Sequence, residues 1–502
     1  MDFTFFAGIA ASMIICFVLR VVPRIGRPFI GHDTWSILLI VDELKKGNGY
    51  YGASKYFLIK GENDYPPLLF YFLSLIPSRW LRRYNWIINP ILDSLNACLV
   101  FGVTYVLADN AALALAATTI YSFTPVVLEE SLDLNVRTFG LVIFNLTLVT
   151  FMLYRVWGNS IFLASAIIFG ILVLLSHKFA TQVLYLLMLS FAITQKSYVP
   201  LLALGAMIAG ALLLSGGFYM KILLGHIGIV RFWLKHYKDY GSDYLSKSTV
   251  GKAPAHPPKE MANAATSHAR ALWHRTKWIN PLYWTLKINP FNPFALIPLL
   301  MIPSIWFAGN LERGFLEWSV LTLGFYYAAT HFRFLGHYVG RSQFLEYNAF
   351  PTAYLCSIFA TDPLSYWKIL TISIVFLSSA IQNIRSLSRV RIHNRSDNPS
   401  LLANIFEYLK KSTKDGVICL PSSHTFAVPY FSGKKVFYTM NARNYDKLGA
   451  FFPVLTVPLK TLIEEFDISF VIVDTTIIPV SGLDLNGFQL AMEENGYALL
   501  ER

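Results

Sequence analysis

Long apolar runs recur along most of this chain, and they constrain its fold more than any other feature. A helix rises about 1.5 Å per residue and the hydrocarbon core of a bilayer is about 30 Å thick, so a run of roughly 20 apolar residues can cross it. The pattern predicts a polytopic α-helical membrane protein with about eleven transmembrane helices. They are expected at 3–22, 86–107, 110–128, 139–154, 160–176, 179–194, 198–215, 291–309, 314–330, 344–360 and 364–381. The first run lacks a small-residue cleavage site, so we expect it to be a retained span.

The predicted membrane domain, residues 1–390, contains two long interruptions. The first loop, 23–85, includes an apolar stretch between Pro66 and Pro77 that is too short to cross, so we expect a helix along the interface. The second loop, 216–290, is basic and aromatic. The Gly, Ser and Pro in its middle predict mobility, and its flanks are suited to the membrane surface. An odd number of spans then places the polar loops and the C-terminal region on one face.

Residues 391–502 differ in composition and are predicted to form a small soluble α/β domain. "LLANIFEYLKKS", "LKTLIEEF" and "GFQLAMEENG" are typical of helices. "GVICL", "ISFVIVD" and "YALLE" are typical of buried strands. The expected architecture is therefore a helical membrane domain followed by one small domain outside the bilayer.

The formal net charge of +12 is high for a chain in which only 14% of residues are charged. It points to an anionic partner: lipid headgroups, a phosphate, or both. The four cysteines suggest neither a disulfide framework nor a cysteine metal site. Nucleotide-binding glycine loops and the common hydrolase motifs are not found, and the basic residues flank membrane spans. A nucleotide-driven enzyme, a serine hydrolase and a nucleic-acid-binding protein are therefore not expected.

Acidic residues cluster in two loops next to the bilayer. Asp33, in "GHDTW", precedes a helical pattern and could simply cap it, or it could act as a general base or a metal ligand beside His32. The segment "TPVVLEESLDLNVRTFG" places Glu129, Glu130 and Asp133 in five positions, which is more than a solvated turn needs. Asp133 and Arg137 are four residues apart and could pair on one helical face.

Basic residues flank other spans on the same predicted face. Lys178, in "LLSHKFATQ", could reach a lipid-linked phosphate or merely extend to the headgroups. Arg333, His337 and Arg341 share one face if their segment is helical, and arginine binds phosphate through a planar fork of donors. The alternative is an ordinary excess of positive charge at span ends. Acidic residues inside apolar runs are functional candidates by default, and here they are Asp93, Glu317 and Glu346.

The ordered set "GHDTW", "DYPPLLFYFLS" and "YSFTPVVLEESLD" resembles the GT-C superfamily of membrane glycosyltransferases, including the protein O-mannosyltransferases and the aminoarabinose transferases. The resemblance implies a polyprenyl-phosphate-linked sugar donor and a catalytic carboxylate in the first external loop, here Asp33. It implies a second acidic position at Glu129, Glu130 or Asp133. Phosphate-binding cations would map more loosely to Lys178, Arg333 and Arg341, with His337 beside them. The W-W-D-Y-G signature of oligosaccharyltransferases is absent.

The same resemblance leaves several points open. A divalent cation, Mg²⁺ or Mn²⁺, is compatible with Asp33, His32 and the second acidic loop. The acceptor would be a hydroxyl of a glycan, lipid or protein. The family location is the plasma membrane, with the active face and the C-terminal domain outside, whereas the positive-inside rule favours the opposite orientation. A transporter or lipid flippase with intramembrane acidic sites, and a non-catalytic assembly subunit, are the alternatives.

Overall fold

The protein is a bundle of helices followed by a small sheet. The structure, a computed structural model, describes residues 3–25, 33–236, 292–303, 310–331, 343–359, 366–393 and 398–502, except for positions 453, 454, 456, 484 and 486. The first eleven helices are α1 Phe3–Val21, α2 Asp33–Lys45, α3 Leu68–Ser74, α4 Ser78–Ala108, α5 Ala111–Ser122, α6 Pro125–Glu130, α7 Val136–Trp157, α8 Ser160–Leu174, α9 Lys178–Thr194, α10 Val199–Leu214 and α11 Phe218–Lys235. The later helices are α12 Ile297–Met301, α13 Asn310–His331, α14 Gln343–Phe359, α15 Tyr366–His393, α16 Ala403–Lys411, α17 Ala427–Ser432 and α18 Leu459–Glu465.

Several of these helices are long and apolar enough to cross a bilayer. Within the described ranges, four meet both conditions: Phe3–Arg24, Ser78–Ala108, Val136–Trp157 and Tyr366–Arg385. Helices α10 and α11 would add a fifth span only as one broken helix, and they meet at 116°. Others, such as α5, α8 and α9, are apolar but shorter. The multi-pass membrane architecture is thus confirmed, while the number eleven stays a prediction.

The structure describes parts of both predicted interruptions. The stretch between Pro66 and Pro77 forms α3, which has 7 residues and is too short to cross. The flank of the second loop forms α11, which packs against the turn Ala442–Leu448 of the C-terminal region. The middle of that loop, 237–291, lies outside the described residues.

The C-terminal sheet has the strand order β1-β2-β4-β3. Its strands are β1 Val417–Leu420, β2 Phe470–Asp474, β3 Gln489–Glu494 and β4 Tyr497–Glu501. Strands β1 and β2 are parallel, whereas β4 runs antiparallel to both β2 and β3. The strands predicted from "GVICL", "ISFVIVD" and "YALLE" and the helices α16 and α18 are confirmed.

The helix predicted for "GFQLAMEENG" is wrong, because this segment forms strand β3. Asn495 and Gly496 both adopt positive φ, at 51° and 81°, and they connect β3 to β4 as a tight hairpin turn. An Asn-Gly pair with two positive φ angles matches the twist of paired strands. Asn495 and Gly496 are therefore a hairpin signal in the sequence.

The C-terminal region shares its hydrophobic core with the first loop. Trp35 of α2 packs against the rings of Tyr430 and Phe431 on α17, with ring centroids 5.4 and 4.8 Å away. The backbone amide of Leu58 donates to the carbonyl of Val436 at 2.9 Å, which ties the first loop to the chain beside β1. These contacts enclose a space between the two regions, at the end of the helix bundle where α9 begins.

Candidate active site

A cavity of about 470 Å³ lies between the first loop and the C-terminal region. Its lining comes from five parts of the chain, which are the first loop, α7, α9, α11 and the C-terminal region, and they supply acidic, basic, hydroxyl and aromatic side chains. The described residues that line it include Asp33, Ile37, Asn63, Asp64, Tyr65, Val136, Lys178, Ser422, Phe426, Tyr438, Thr439 and Tyr445. A pocket with apolar walls and a few converging polar groups is the usual form of a ligand site.

Asp33 is the first residue of α2 and is half-buried at this cavity. The hydroxyl of Ser36 donates to its backbone carbonyl at 2.8 Å. One residue further on, the hydroxyl of Thr34 accepts a hydrogen bond of 3.2 Å from the backbone amide of Leu134. This bond joins the start of α2 to the second acidic loop, so the two predicted acidic segments lie side by side.

Asp133 lies beside Asp33 in that second loop. Burial raises the pKa of Asp133 to about 7, and the negative charge of Asp33 adds to this effect. The side-chain amide of Asn135 donates to the carboxylate at 2.7 Å, and both this bond and the nearby Arg24 oppose the rise. Two half-buried carboxylates that repel each other are an arrangement typical of acid–base or cation-binding sites.

The predicted pairing of Asp133 with Arg137 on a helical face is wrong. Arg137 forms its ion pair with Glu130, at the end of α6. Asn135 caps α7 by accepting bonds of 3.0 and 3.2 Å from the next turn, so the helix begins after Asp133 and the two residues share no helical face. Glu129 precedes Glu130 on α6 and is not among the described residues that line the cavity.

Lys178 reaches the cavity with its charge already paired. Its ammonium lies 2.9 Å from a carboxylate oxygen of Asp64, and both side chains are almost fully buried. The other oxygen of Asp64 accepts a 2.9 Å bond from the backbone amide of Ala442. The pair thus joins three parts of the chain: the first loop, the start of α9 and the C-terminal region.

Sequence analysis did not single out Asp64 as a site residue. It is the first residue of the segment "DYPPLLFYFLS", which supports the family resemblance, and this position was the signal that could have identified it. Arg24 was also not among the predicted site residues, because single basic residues commonly flank membrane spans and this one follows the first apolar run. Its guanidinium donates to the backbone carbonyl of Trp86 and acts on the charge of Asp133.

Four predicted site residues cannot be placed. His32, Arg333, His337 and Arg341 lie outside the described residues. Within the part of the chain that the structure describes, no group of three or more His, Cys, Asp or Glu side chains could hold a metal ion. The described acidic pair, Asp33 and Asp133, would supply two ligands.

The intramembrane acidic residues are mostly neutralised. Asp93 accepts bonds of 2.5 Å from Arg20 and 2.6 Å from the Tyr121 hydroxyl. Glu317 lies 3.5 and 3.4 Å from Arg155 and Arg313. Paired groups of this kind stabilise contacts between helices. Glu346 of α14 differs, because it is buried and its Oε1 has no hydrogen-bond partner among the described residues.

Comparison with known proteins identifies the architecture. Neither a protein-family profile nor a curated protein matches this chain, but solved structures do. The oligosaccharyltransferase of Archaeoglobus fulgidus in the apo form aligns with a TM-score of 0.61 at 12% identity, covering 94% of this chain and 70% of that one. Its complex with zinc and sulfate aligns with a TM-score of 0.59 at 12% identity, over 94% and 68%.

The alignment with a second solved structure covers nearly the whole of both chains. ArnT from Cupriavidus metallidurans, bound to undecaprenyl phosphate, aligns with a TM-score of 0.52 at 11% identity, covering 98% of this chain and 97% of that one. This chain has the fold of these solved structures. At these identities the likeness establishes the fold alone, which is the fold that the resemblance to the GT-C superfamily predicted, and the chemistry has to be argued from the cavity.

Proposed function

We propose that this chain is a membrane glycosyltransferase that moves a sugar from a polyprenyl-phosphate-linked donor to a hydroxyl acceptor on a glycan, lipid or protein. The observation that carries the proposal is the position of Asp33, half-buried at a cavity of about 470 Å³ in a chain with the GT-C fold. A structure with this fold holds undecaprenyl phosphate, which supports a lipid-phosphate donor.

In the proposed reaction, Asp33 is the general base. It accepts the proton of the acceptor hydroxyl while that oxygen forms a bond to the anomeric carbon. The bond from that carbon to the donor phosphate breaks, and the lipid phosphate leaves as an anion. Because Lys178 is paired with Asp64, we assign most of the phosphate stabilisation to Arg333, His337 and Arg341, with Lys178 as a fixed charge at the cavity wall.

The second acidic position is best assigned to Asp133. The negative charge of Asp33 acts on Asp133, whereas Glu130 is paired with Arg137. Two adjacent carboxylates, of which Asp133 has a raised pKa, fit a divalent cation, which prefers carboxylate oxygens, and His32 would complete the set. Bound there, Mg²⁺ or Mn²⁺ would offset the repulsion between the carboxylates and attract the donor phosphate.

The wider topology is part of the proposal. We infer about eleven spans over residues 1–390, a C-terminal domain over 391–502, and a plasma-membrane location with the cavity outside the cell. The active face then carries many basic residues, which phosphate binding requires. Long loops also count little in the positive-inside rule.

The test is an assay of sugar transfer with purified full-length protein and a polyprenyl-phosphate sugar. We expect Asp33→Asn to reduce sugar release from the lipid by about 100-fold or more, as loss of a general base does. Asp467→Asn is the matched control, because Asp467 is exposed and has a φ of 47°, which asparagine adopts readily. The same assay in the presence of a metal chelator tests separately whether transfer needs a divalent cation.

Equal activity of the Asp33→Asn and Asp467→Asn variants would contradict the general base. A protein that moves the intact lipid across vesicles without cleaving it would instead be a flippase. The pairing of Asp93 and Glu317 argues against these two residues as a transport site, because such a site needs a group that can bind and release its cargo. That alternative therefore depends on Glu346, which is buried and has a carboxyl oxygen that no described residue satisfies.

A further inference from the structure

A second cavity, of about 540 Å³, lies at the start of α4 and is separate from the one at Asp33. Its described lining consists of Ser78, Arg79, Arg82 and Arg83, and we name this set the arginine elbow. The two cavities have no described lining residue in common. The elbow therefore needs an explanation of its own.

The elbow is positively charged and poorly neutralised. Arg82 pairs with Asp42 of α2 at 2.9 Å, and its side chain remains 60% exposed. Arg83 lies over the ring of Tyr84, with 5.4 Å from its guanidinium carbon to the ring centroid, and Arg79 has no ion-pair partner among the described residues. A single carboxylate thus faces three guanidinium groups.

A fourth cation adds to this field. The ammonium of Lys45, at the end of α2, donates to the hydroxyl of Ser78 at 3.1 Å and to the backbone carbonyl of Ile76. Burial lowers the pKa of Lys45; Asp42 opposes this change and Arg82 adds to it. Another positive charge therefore meets the elbow from the side of α2.

The surroundings place the elbow at the membrane surface. Leu75, just after α3, is 82% exposed, and Tyr71, Phe72 and Trp80 also present large exposed apolar surfaces. Aromatic side chains of this kind concentrate where the bilayer meets water. Tyr84 has non-helical angles, which separate the arginine-bearing first two turns of α4 from the long apolar remainder of the helix.

From this charge complementarity and position, we infer that the arginine elbow binds the phosphate of an anionic phospholipid headgroup. Guanidinium groups pair with phosphate oxygens through parallel hydrogen bonds, and the exposed apolar side chains would contact the acyl chains of the same lipid. The site differs from the proposed donor site and does not depend on the proposed reaction.

The test is native mass spectrometry of the purified full-length protein with equal amounts of phosphatidylglycerol and phosphatidylcholine. We expect the wild type to retain phosphatidylglycerol preferentially. A variant carrying Arg79→Gln, Arg82→Gln and Arg83→Gln should bind it at least about tenfold more weakly, because each basic residue near an anionic surface contributes to the affinity. Binding of the neutral lipid should not change.

The charge-matched control carries Lys410→Gln, Lys411→Gln and Lys460→Gln at exposed positions of the C-terminal region, and it should bind like the wild type. If the triple arginine variant does not fold, Arg79→Gln alone should still weaken binding. Unchanged retention of phosphatidylglycerol by a folded arginine variant would overturn the inference. So would competition in which polyprenyl phosphate displaces phosphatidylglycerol from the wild type and is itself lost from the arginine variant.

Discussion

The pKa values of acidic side chains differ between places in this protein, according to the groups that surround each carboxyl group. Asp133 is half-buried next to a second carboxylate, and its pKa rises to about 7. Glu43 of α2 is fully buried, but Lys46, Lys55, Asn48 and Tyr56 all donate hydrogen bonds to it. Although burial opposes the change, these bonds lower the pKa of Glu43 to about 2. The two environments therefore move the pKa of a carboxyl group in opposite directions, and the hydrogen bonds to Glu43 hold parts of the first loop together.

We predict that Glu43→Gln removes a stabilising effect that depends on pH. The folded-state pKa lies below the ordinary value of 4.5, so this carboxylate stabilises the fold above about pH 4.5, and the effect is lost as the pH falls toward 2. Thermal unfolding should show the variant less stable by about 1.5–3 kcal/mol at pH 7, a typical value for hydrogen bonds to a charged group. The difference should shrink at pH 3.

Glu407→Gln changes an exposed carboxylate and is the control for that measurement. Its stability should follow the wild type at both pH values. A difference between Glu43→Gln and the wild type that is equally large at pH 7 and pH 3 would show that the loss comes from packing and not from ionisation.

At the scale of elements, sequence patterns predicted the helices well and their contacts poorly. Apolar periodicity marked α1, α4, α7 and α15, because lipid and core packing both select it. It failed at β3, where the Asn495-Gly496 turn signal was overlooked. It also could not show that α11 packs on the Asp64–Lys178 pair, since Gly225 and Asp64 come from distant parts of the chain.

We predict that Gly225→Ala disturbs this packing. A Cβ at Gly225 would lie 2.5 Å from a carboxylate oxygen of Asp64, which cannot move away because Lys178 and the amide of Ala442 hold it. Overpacking of this kind costs about 1–3 kcal/mol, so the variant should unfold at a lower temperature. It should also transfer sugar more slowly, because Asp64 and Lys178 line the cavity.

Gly205→Ala on α10 provides the comparison. No atom lies within 4 Å of a Cβ built there, so alanine should be tolerated or should stabilise the helix by up to about 1 kcal/mol. If the Gly225 and Gly205 variants unfold at the same temperature, then α11 does not pack tightly on the ion pair.

At the scale of the whole molecule, the C-terminal region packs against the first loop and lines the cavity. The side chain of Asn441 donates to the backbone carbonyl of Glu62, across 379 positions of sequence. Tyr438, Thr439 and Tyr445 form one wall of the cavity that Asp33 lines from the other side. Composition could predict a separate domain after 390. Local patterns contain no information on contacts between distant segments, so the shared core and the cavity could not be predicted.

The orientation of this assembly can be measured with two introduced cysteines. Thr194 is exposed at the end of α9, which has 17 residues and begins at Lys178 in the cavity, so it should lie near the opposite bilayer surface. Ser400 is exposed just before α16, on the cavity side. In a Cys98→Ala background, which leaves only buried native cysteines, we expect an impermeant maleimide to label Ser400→Cys on intact cells. Thr194→Cys should react only after permeabilisation.

The reverse labelling pattern would place the cavity in the cytoplasm, as the positive-inside rule favours. Labelling of both cysteines on intact cells would show that α9 does not cross the bilayer.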